Sequence, residues 1–359
     1  VVNQSGLIET VGSGTPRIDF EGNTEGALLL EPTRTNSITY SKDFTSWTQA
    51  DTSTISIADS FDGSNNAYKV SIASAGGFQT IRNTGLSVSG VQTFTIYAKK
   101  DTLNFIRVLF GGHGNFWVDL VNGTQGTTTG AFSSINITSA GNGFFKIVAI
   151  FTPTSAVTQV FLYPSIGNGN VSQTSGSVIF QYAQLEAGSY ATSYIPTSGS
   201  AVTRIADTCN QTTPDGVIGQ TEGTLYLNIS ALSDDATNRR VTLSDGTATN
   251  RMYVSYKNYT NQIRVEVISA GSSVFDSTYS SSDITANSKI ALAYKSNDFA
   301  FYVDGTQVST DTSGAVPTSL TAFKFEDGSG GNTFFGNVKQ AQLYNTRLSN
   351  AELQALTSN

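Results

Sequence analysis

The chain has 359 residues and a formal net charge of −7, with five acids to one arginine in residues 1–33, near balance in 34–207 and fourteen acids to ten bases beyond. No segment forms a basic stripe and no apolar run approaches the roughly 20 residues of a membrane helix, so neither nucleic acid nor membrane insertion is expected. Charged residues make up only 13%, against 34 glycines and abundant Tyr and Phe, a composition that favours short strands and tight turns over long surface helices.

Residues 1–36 combine a Gly-Ser-Gly-Thr-Pro turn, the acidic stretch Asp19–Glu25 and the abrupt apolar run Ala27-Leu-Leu-Leu30. This reads as an extended arm whose apolar end docks on the next domain or on a neighbouring chain. The sequence begins Val-Val-Asn-Gln rather than with Met, and the arm is expected to lead from a missing upstream part of a longer polypeptide.

Residues 37–196 alternate between apolar strand candidates and turn clusters. Phe94–Ala98, Asn104–Phe110, Phe144–Phe151 and Val160–Tyr163 are the strands; Gly111-Gly-His-Gly114, Asn122-Gly123 and Gly141-Asn-Gly143 are the turns. Strands at this spacing predict an antiparallel sandwich of the jelly-roll kind. Trp47 is expected in the core. On the strand around Trp117, the residues Phe116, Val118 and Leu120 share one face, and Trp117 and Asp119 the other.

A small, polar segment, residues 197–215, reads as a linker and includes the lone cysteine, Cys209. Residues 216–359 then begin a second strand series, with Gly223–Ile229, Arg251–Tyr256, Gln262–Ile268, Ser288–Tyr294 and Asp298–Val303 among its members and Asp304-Gly305 as a hairpin turn. Ser349-Asn-Ala-Glu352 is a capping box, opening a short helix with Leu353 and Leu356 on its apolar side. The predicted fold is all-β: two antiparallel sandwiches in tandem after an extended N-terminal arm.

Leu28-Leu-Leu-Glu-Pro-Thr-Arg-Thr-Asn36, Phe44-Thr-Ser-Trp47, Gly141-Asn-Gly-Phe-Phe-Lys146 and the exit Ala183-Gln-Leu-Glu-Ala-Gly-Ser-Tyr-Ala-Thr-Ser-Tyr-Ile-Pro-Thr197 resemble a module of bacteriophage tail fibres, head fibres and spikes. The same region is similar to jelly-roll carbohydrate-binding modules. Lys289–Tyr294, Phe301-Tyr-Val-Asp-Gly305, Gly336–Tyr344 and Leu348–Leu353 follow the order of laminin-G and concanavalin-like sandwiches. The resemblance implies a virion-surface protein made in the host cytoplasm, a homotrimer as fibres usually are, touching other virion proteins through its arm. Its expected role is adsorption to bacterial surface carbohydrate or glycoprotein. The alternatives are a purely structural capsid or tail decoration and, more weakly, a capsule depolymerase.

Catalysis has little to work with, and no enzyme is expected. His113 is the only imidazole, lying in a Gly-rich turn. Glu326-Asp327 and Asp234-Asp235 are adjacent, so on a strand each pair would point to opposite faces and could not flank one bond. Glycosidases of concanavalin-like fold use a Glu-x-Asp-x-x-Glu strand motif that this chain lacks. No cofactor is required. Calcium is the ion the oxygen-rich loops would take, first at Asp59 and Asp62 and otherwise at the loop from Glu326 to Asn332, because His and Cys are nearly absent. By resemblance to the carbohydrate-binding modules, Glu186 would add a ligand to the first of these. Sugar binding needs aromatic faces beside polar groups, which singles out Trp117, Asp119 and His113 in the first sandwich. In the second it singles out Tyr253, Tyr256, Lys257 and Tyr259 at an expected hairpin tip.

Overall fold

A computed structural model describes residues 1–57, 59–74, 79–212 and 216–358. As predicted, the fold is all-β, with antiparallel sheets throughout. Among the described residues there is one α-helix, Asn350–Thr357, and one 3-10 turn, Phe44–Ser46. The chain forms two compact units, one of residues 5–9 and 33–205, the other of residues 1–4, 10–32 and 206 onward.

The first sandwich packs two six-stranded sheets. One runs Thr124–Thr129, Asn115–Asp119, Phe105–Gly111, Val157–Ser165, Thr80–Val88, Thr48–Ala50; the other runs Phe132–Gly141, Phe144–Phe151, Gln92–Lys100, Ser177–Ala187, Ala67–Ile72, Thr52–Ile57. Alternate residues fill the space between them, for example Ile106, Val108 and Phe110 from one sheet against Phe94, Ile96, Ile147 and Phe180 from the other. The period-2 pattern that predicted these strands is the pattern that buries them. Trp47 is in this core, its indole Nε1 donating to the Tyr40 carbonyl at 2.9 Å.

The second sandwich pairs a six-stranded sheet, Asn210–Thr212, Ala322–Lys324, Arg239–Ser244, Arg251–Tyr256, Gln262–Ser269, Ser272–Ser280, with a seven-stranded one. Here the sequence expectation needs correction. Ile18–Asp19 and Ala27–Leu30 are the first two strands of the seven-stranded sheet, and Leu28, Leu29 and Leu30 pair in register with Val338, Asn337 and Gly336 of the strand Gly336–Tyr344. The stretch expected as an arm is therefore part of the C-terminal sandwich. The physical reason is the apolar run itself: Leu30 enters the core with Leu225, Val241 and Phe334. Arg17 pins the strand from its other side, donating to Glu31 at 2.6 Å and pairing with Asp207, while the Glu31 amide donates to Asp207 at 2.8 Å.

The helix begins as its capping box predicts. The Ser349 hydroxyl accepts from the Glu352 amide, and the Glu352 carboxylate accepts from the Ser349 amide at 2.7 Å. Leu353 is fully buried on the outer face of the seven-stranded sheet, against Tyr226, Ala291, Ala293, Ala300 and Tyr302. The alanines leave room for the helix to lie close.

Candidate functional site

The signature stretch from Ala183 to Thr197 closes the first sandwich. Asn36 is fully buried, and its side chain makes four bonds: Nδ2 donates to the Ala183 and Ile195 carbonyls at 3.2 and 2.9 Å, and Oδ1 accepts from the Ile38 and Leu185 amides at 3.1 Å. Gln184 accepts from the Ile195 amide at 2.7 Å, and the Ser41 and Thr197 amides each donate to the other's hydroxyl at 2.8 Å. Asn36, Gln184 and Thr197 of the motif are thus used in joining entry to exit.

Glu186, expected as a metal ligand, belongs to that closure. It is fully buried, accepting from Gln184 Nε2 at 2.8 Å and from the Thr192 amide and hydroxyl at 2.9 and 2.6 Å, with Arg34 at 3.6 Å. Burial pushes its carboxyl above the ordinary glutamate value, against those hydrogen bonds and Arg34. Asp59 instead faces Lys99 Nζ at 2.9 Å and Asn142 Nδ2 at 2.8 Å. Asp62 accepts from Ser64, Gln181 and Tyr182.

Burial acts to raise the Asp62 carboxyl, but these donors hold it below the usual aspartate range. The three carboxylates do not converge, and among the described residues no group of three His, Cys, Asp or Glu side chains could hold an ion. N–H and O–H hydrogens aim at the oxygens a cation would need, so this donor set does not fit calcium. The loop from Glu326 is likewise self-satisfied: Asp327 accepts from the Ser329 and Gly331 amides at 3.0 Å and from Asn332 Nδ2 at 2.9 Å.

Trp117 does lie on the outward face of its sheet, and register explains its company. Trp117 sits directly opposite Arg107, and Arg107 directly opposite Tyr163. The Arg107 guanidinium lies 5.6 Å from the Trp117 ring centroid and 5.2 Å from that of Tyr163. One row along, Phe161 pairs with Arg82, whose guanidinium is 5.8 Å from the Phe161 ring. Asn115 accepts from Arg107 Nε at 3.2 Å. Neither arginine forms an ion pair among the described residues, and both are half-buried. Burial raises the Tyr163 hydroxyl, with Arg107 and Arg82 pulling the other way. Two planar cations lie near aromatic rings on this face, Arg82 with its Nε buried and unpartnered, and their remaining N–H groups are of the kind that can meet an oxygen-rich ligand.

The remaining first-sandwich candidates, Asp119 and His113, are engaged within the fold. Asp119 ends the Trp117 strand by accepting from the amides of Val121 and Asn122 at 2.8 and 3.2 Å and from Asn122 Nδ2 at 2.8 Å. His113 stacks on Phe151 with centroids 4.8 Å apart and meets Phe132 edge-on, and burial lowers its pKa.

The expected cluster in the second sandwich is divided three ways, because Tyr253 and Tyr256 are an odd number of residues apart on one strand and must face opposite sides. Tyr256 is in the core, its hydroxyl donating to the Ile229 carbonyl at 3.1 Å. Lys257 and Tyr259 sit beyond the strand, Lys257 Nζ 5.3 Å from the ring of Tyr259, which is 58% exposed. Tyr253 is on the outward face of the six-stranded sheet, yet only 1% exposed, because the guanidiniums of Arg240, Arg251 and Arg264 lie 4.3, 5.6 and 6.0 Å from its ring centroid. Its hydroxyl bonds to Glu266; burial, and then this carboxylate, push its pKa up to about 12.

The family model of the concanavalin A-like lectin/glucanase superfamily that covers laminin-G-type domains matches residues 207–354, the main segment of the second sandwich. No curated protein matches the chain. Among solved structures, the CBM40 domain of the Ruminococcus gnavus IT-sialidase, bound to α2,3 sialyllactose, is similar at 16% identity and a TM-score of 0.34, covering 39% of this chain and 84% of that one. Leech intramolecular trans-sialidase is similar at 15% identity and a TM-score of 0.34, over 42% of this chain and 26% of that one. Sheep galectin-11 in complex with glycerol is similar at 9% identity and a TM-score of 0.27, over 39% and 99%.

Proposed function

We propose that this protein is a binding module of a bacteriophage fibre or spike, working as a homotrimer, whose first sandwich engages glycan on the host cell surface. The observation that carries the reading is the outward face where Arg107 lies between Trp117 and Tyr163 and Arg82 lies on Phe161. Trp117 and Tyr163, 6% and 3% exposed, hold Arg107 in orientation, half-buried Phe161 offers apolar contact, and the guanidinium edges supply directed donors for sugar oxygens. The resemblance of these motifs to phage appendage modules supports the setting. They do not supply the ligand contacts, since Asn36, Gln184, Glu186 and Thr197 are spent on closure.

The test is a glycan array and whole-cell binding assay with the full chain and with the Arg82→Gln/Arg107→Gln pair. Binding that drops tenfold or more, with an unchanged thermal transition, is the expected result. Undiminished attachment by the double variant would remove this face from the reading. A virion carrying the variant that adsorbs normally but loses particle integrity would instead favour a decoration role.

A further inference from the structure

We infer that the second sandwich carries a separate site for the carboxylate or sulfate groups of an acidic polymer, built on Arg240 and Arg251 over Tyr253. The inference is independent of the proposed glycan face, which belongs to the other sandwich.

The charges on this outward sheet face are unequally occupied. Arg264 is saturated: it holds Asp276 in a two-pronged pair at 2.7 and 2.6 Å, lies 3.2 Å from Glu266 and donates to the Tyr253 hydroxyl at 3.1 Å. Lys324 is paired with Glu326 at 3.1 Å. Asp327 is engaged by its own loop. Every one of these acids therefore has its donors already.

Among the described residues, two cations of this face have no acid partner. Arg251 donates Nη1 to the Asp327 carbonyl at 2.7 Å and forms no ion pair among the described residues. Arg240 rests on the Tyr253 ring at 4.3 Å, its guanidinium without an ion pair or hydrogen bond among the described residues, and its Nε is buried and unpartnered. Neighbouring strands place them: Arg240 lies opposite Ser255, Arg251 opposite Ser244, and Tyr253 opposite Thr242, so the two arginines approach the ring from opposite ends.

A guanidinium stacked on a ring has lost water from one face and is fixed in orientation, while its edge still offers parallel N–H donors. That fork fits a carboxylate or a sulfate, and little conformational freedom is left to lose on binding. Tyr253 is an unusually rigid support, locked by Glu266 and Arg264. The small side chains Thr242, Ser244 and Ser255 around it add no bulk over the rings.

The experiment measures binding of the full chain to immobilised polygalacturonate, dextran sulfate and neutral dextran at low and high salt. Salt-sensitive binding to one or both polyanions, absent on neutral dextran, is expected, and the stronger of the two identifies carboxylate or sulfate as the preferred group. Arg240→Gln should weaken it at least tenfold. Arg240→Lys should fail to restore it, since an ammonium lacks the planar fork. The Arg82→Gln/Arg107→Gln pair should leave it intact. If Arg240→Gln does not fold, Arg251→Gln carries the same expectation. No polyanion binding at low salt, or wild-type binding by both arginine variants, would overturn the assignment.

Discussion

Tyr182 donates its phenolic hydrogen to Oδ2 of Asp62 at 2.9 Å, and its sequence neighbour Gln181 donates to Oδ1 of the same carboxylate at 2.9 Å. Adjacent residues of a regular strand could not do this. A bulge between Gln181 and Ala183, with Tyr182 at φ +47°, turns both side chains to one side. Tyr182→Phe removes a hydrogen bond to a buried charge and should cost the first sandwich about 1.5–3 kcal/mol. Both tryptophans, Trp47 and Trp117, belong to that sandwich, so tryptophan fluorescence during urea unfolding reads it selectively; an unchanged midpoint would refute the estimate.

Asp62 and Glu186 should give the first sandwich opposite pH slopes. Asp62 is held below its ordinary 3.8 in the fold, so its contribution is present above that value and is lost as pH falls through the folded pKa. Glu186 is raised above its ordinary 4.5, so its contribution is full below 4.5 and declines as pH rises through its folded pKa. Asp62→Asn should therefore flatten the acid limb of the stability profile and Glu186→Gln the limb above 4.5. Fluorescence melts across the acid range check both, whatever offset each substitution adds.

Asn36→Ala should be among the most damaging single changes in the first sandwich. It leaves two amides and two carbonyls without their side-chain partner in a fully buried site, at a cost of about 3 kcal/mol. A loss of unfolding free energy below about 1 kcal/mol in urea titration would mean the closure is held elsewhere.

Arg17→Met removes the cation that Glu31, 2% exposed, and Asp207 share. Breaking such a pair from one side costs roughly 3–5 kcal/mol. The loss should fall on the second sandwich: far-UV circular dichroism should show an earlier partial transition while tryptophan fluorescence stays unmoved.

Leu353→Ala should cost about 2–4 kcal/mol by emptying the pocket between Tyr226, Ala300 and Tyr302. Ser349→Ala, which removes only the cap, should cost about 1 kcal/mol. Near-equal effects in thermal melts would contradict the buried-leucine account.

What could be read from the sequence is what local pattern encodes. Phe105–Gly111 alternates between half-buried and buried at every residue, and the Ser349–Glu352 box starts its helix where the letters place it. The odd spacing of Tyr253 and Tyr256 was also decisive and pointed against a shared tip. Long-range placement has no such local signal. Ala27–Leu30 announces only an apolar strand, and nothing near it names Val338 as its partner. The Arg107–Trp117–Tyr163 row likewise depends on the register of three strands; the one local hint was a lone arginine at an outward position between Ile106 and Val108. Asp59 and Asp62 looked like ligands because oxygen-rich turns and metal loops share their composition, and Glu186 was added only by resemblance to carbohydrate-binding modules.

The strand Ala27–Leu30 pairs with a segment that leaves the ribosome about 300 residues later, a delay on the order of 15–60 s at ordinary synthesis rates. The entire first sandwich emerges, and has time to fold, in between. During that interval an apolar strand edge waits without its partner, the condition under which one nascent chain can capture another. Pairing of this strand is therefore subject to translation timing as well as to stability.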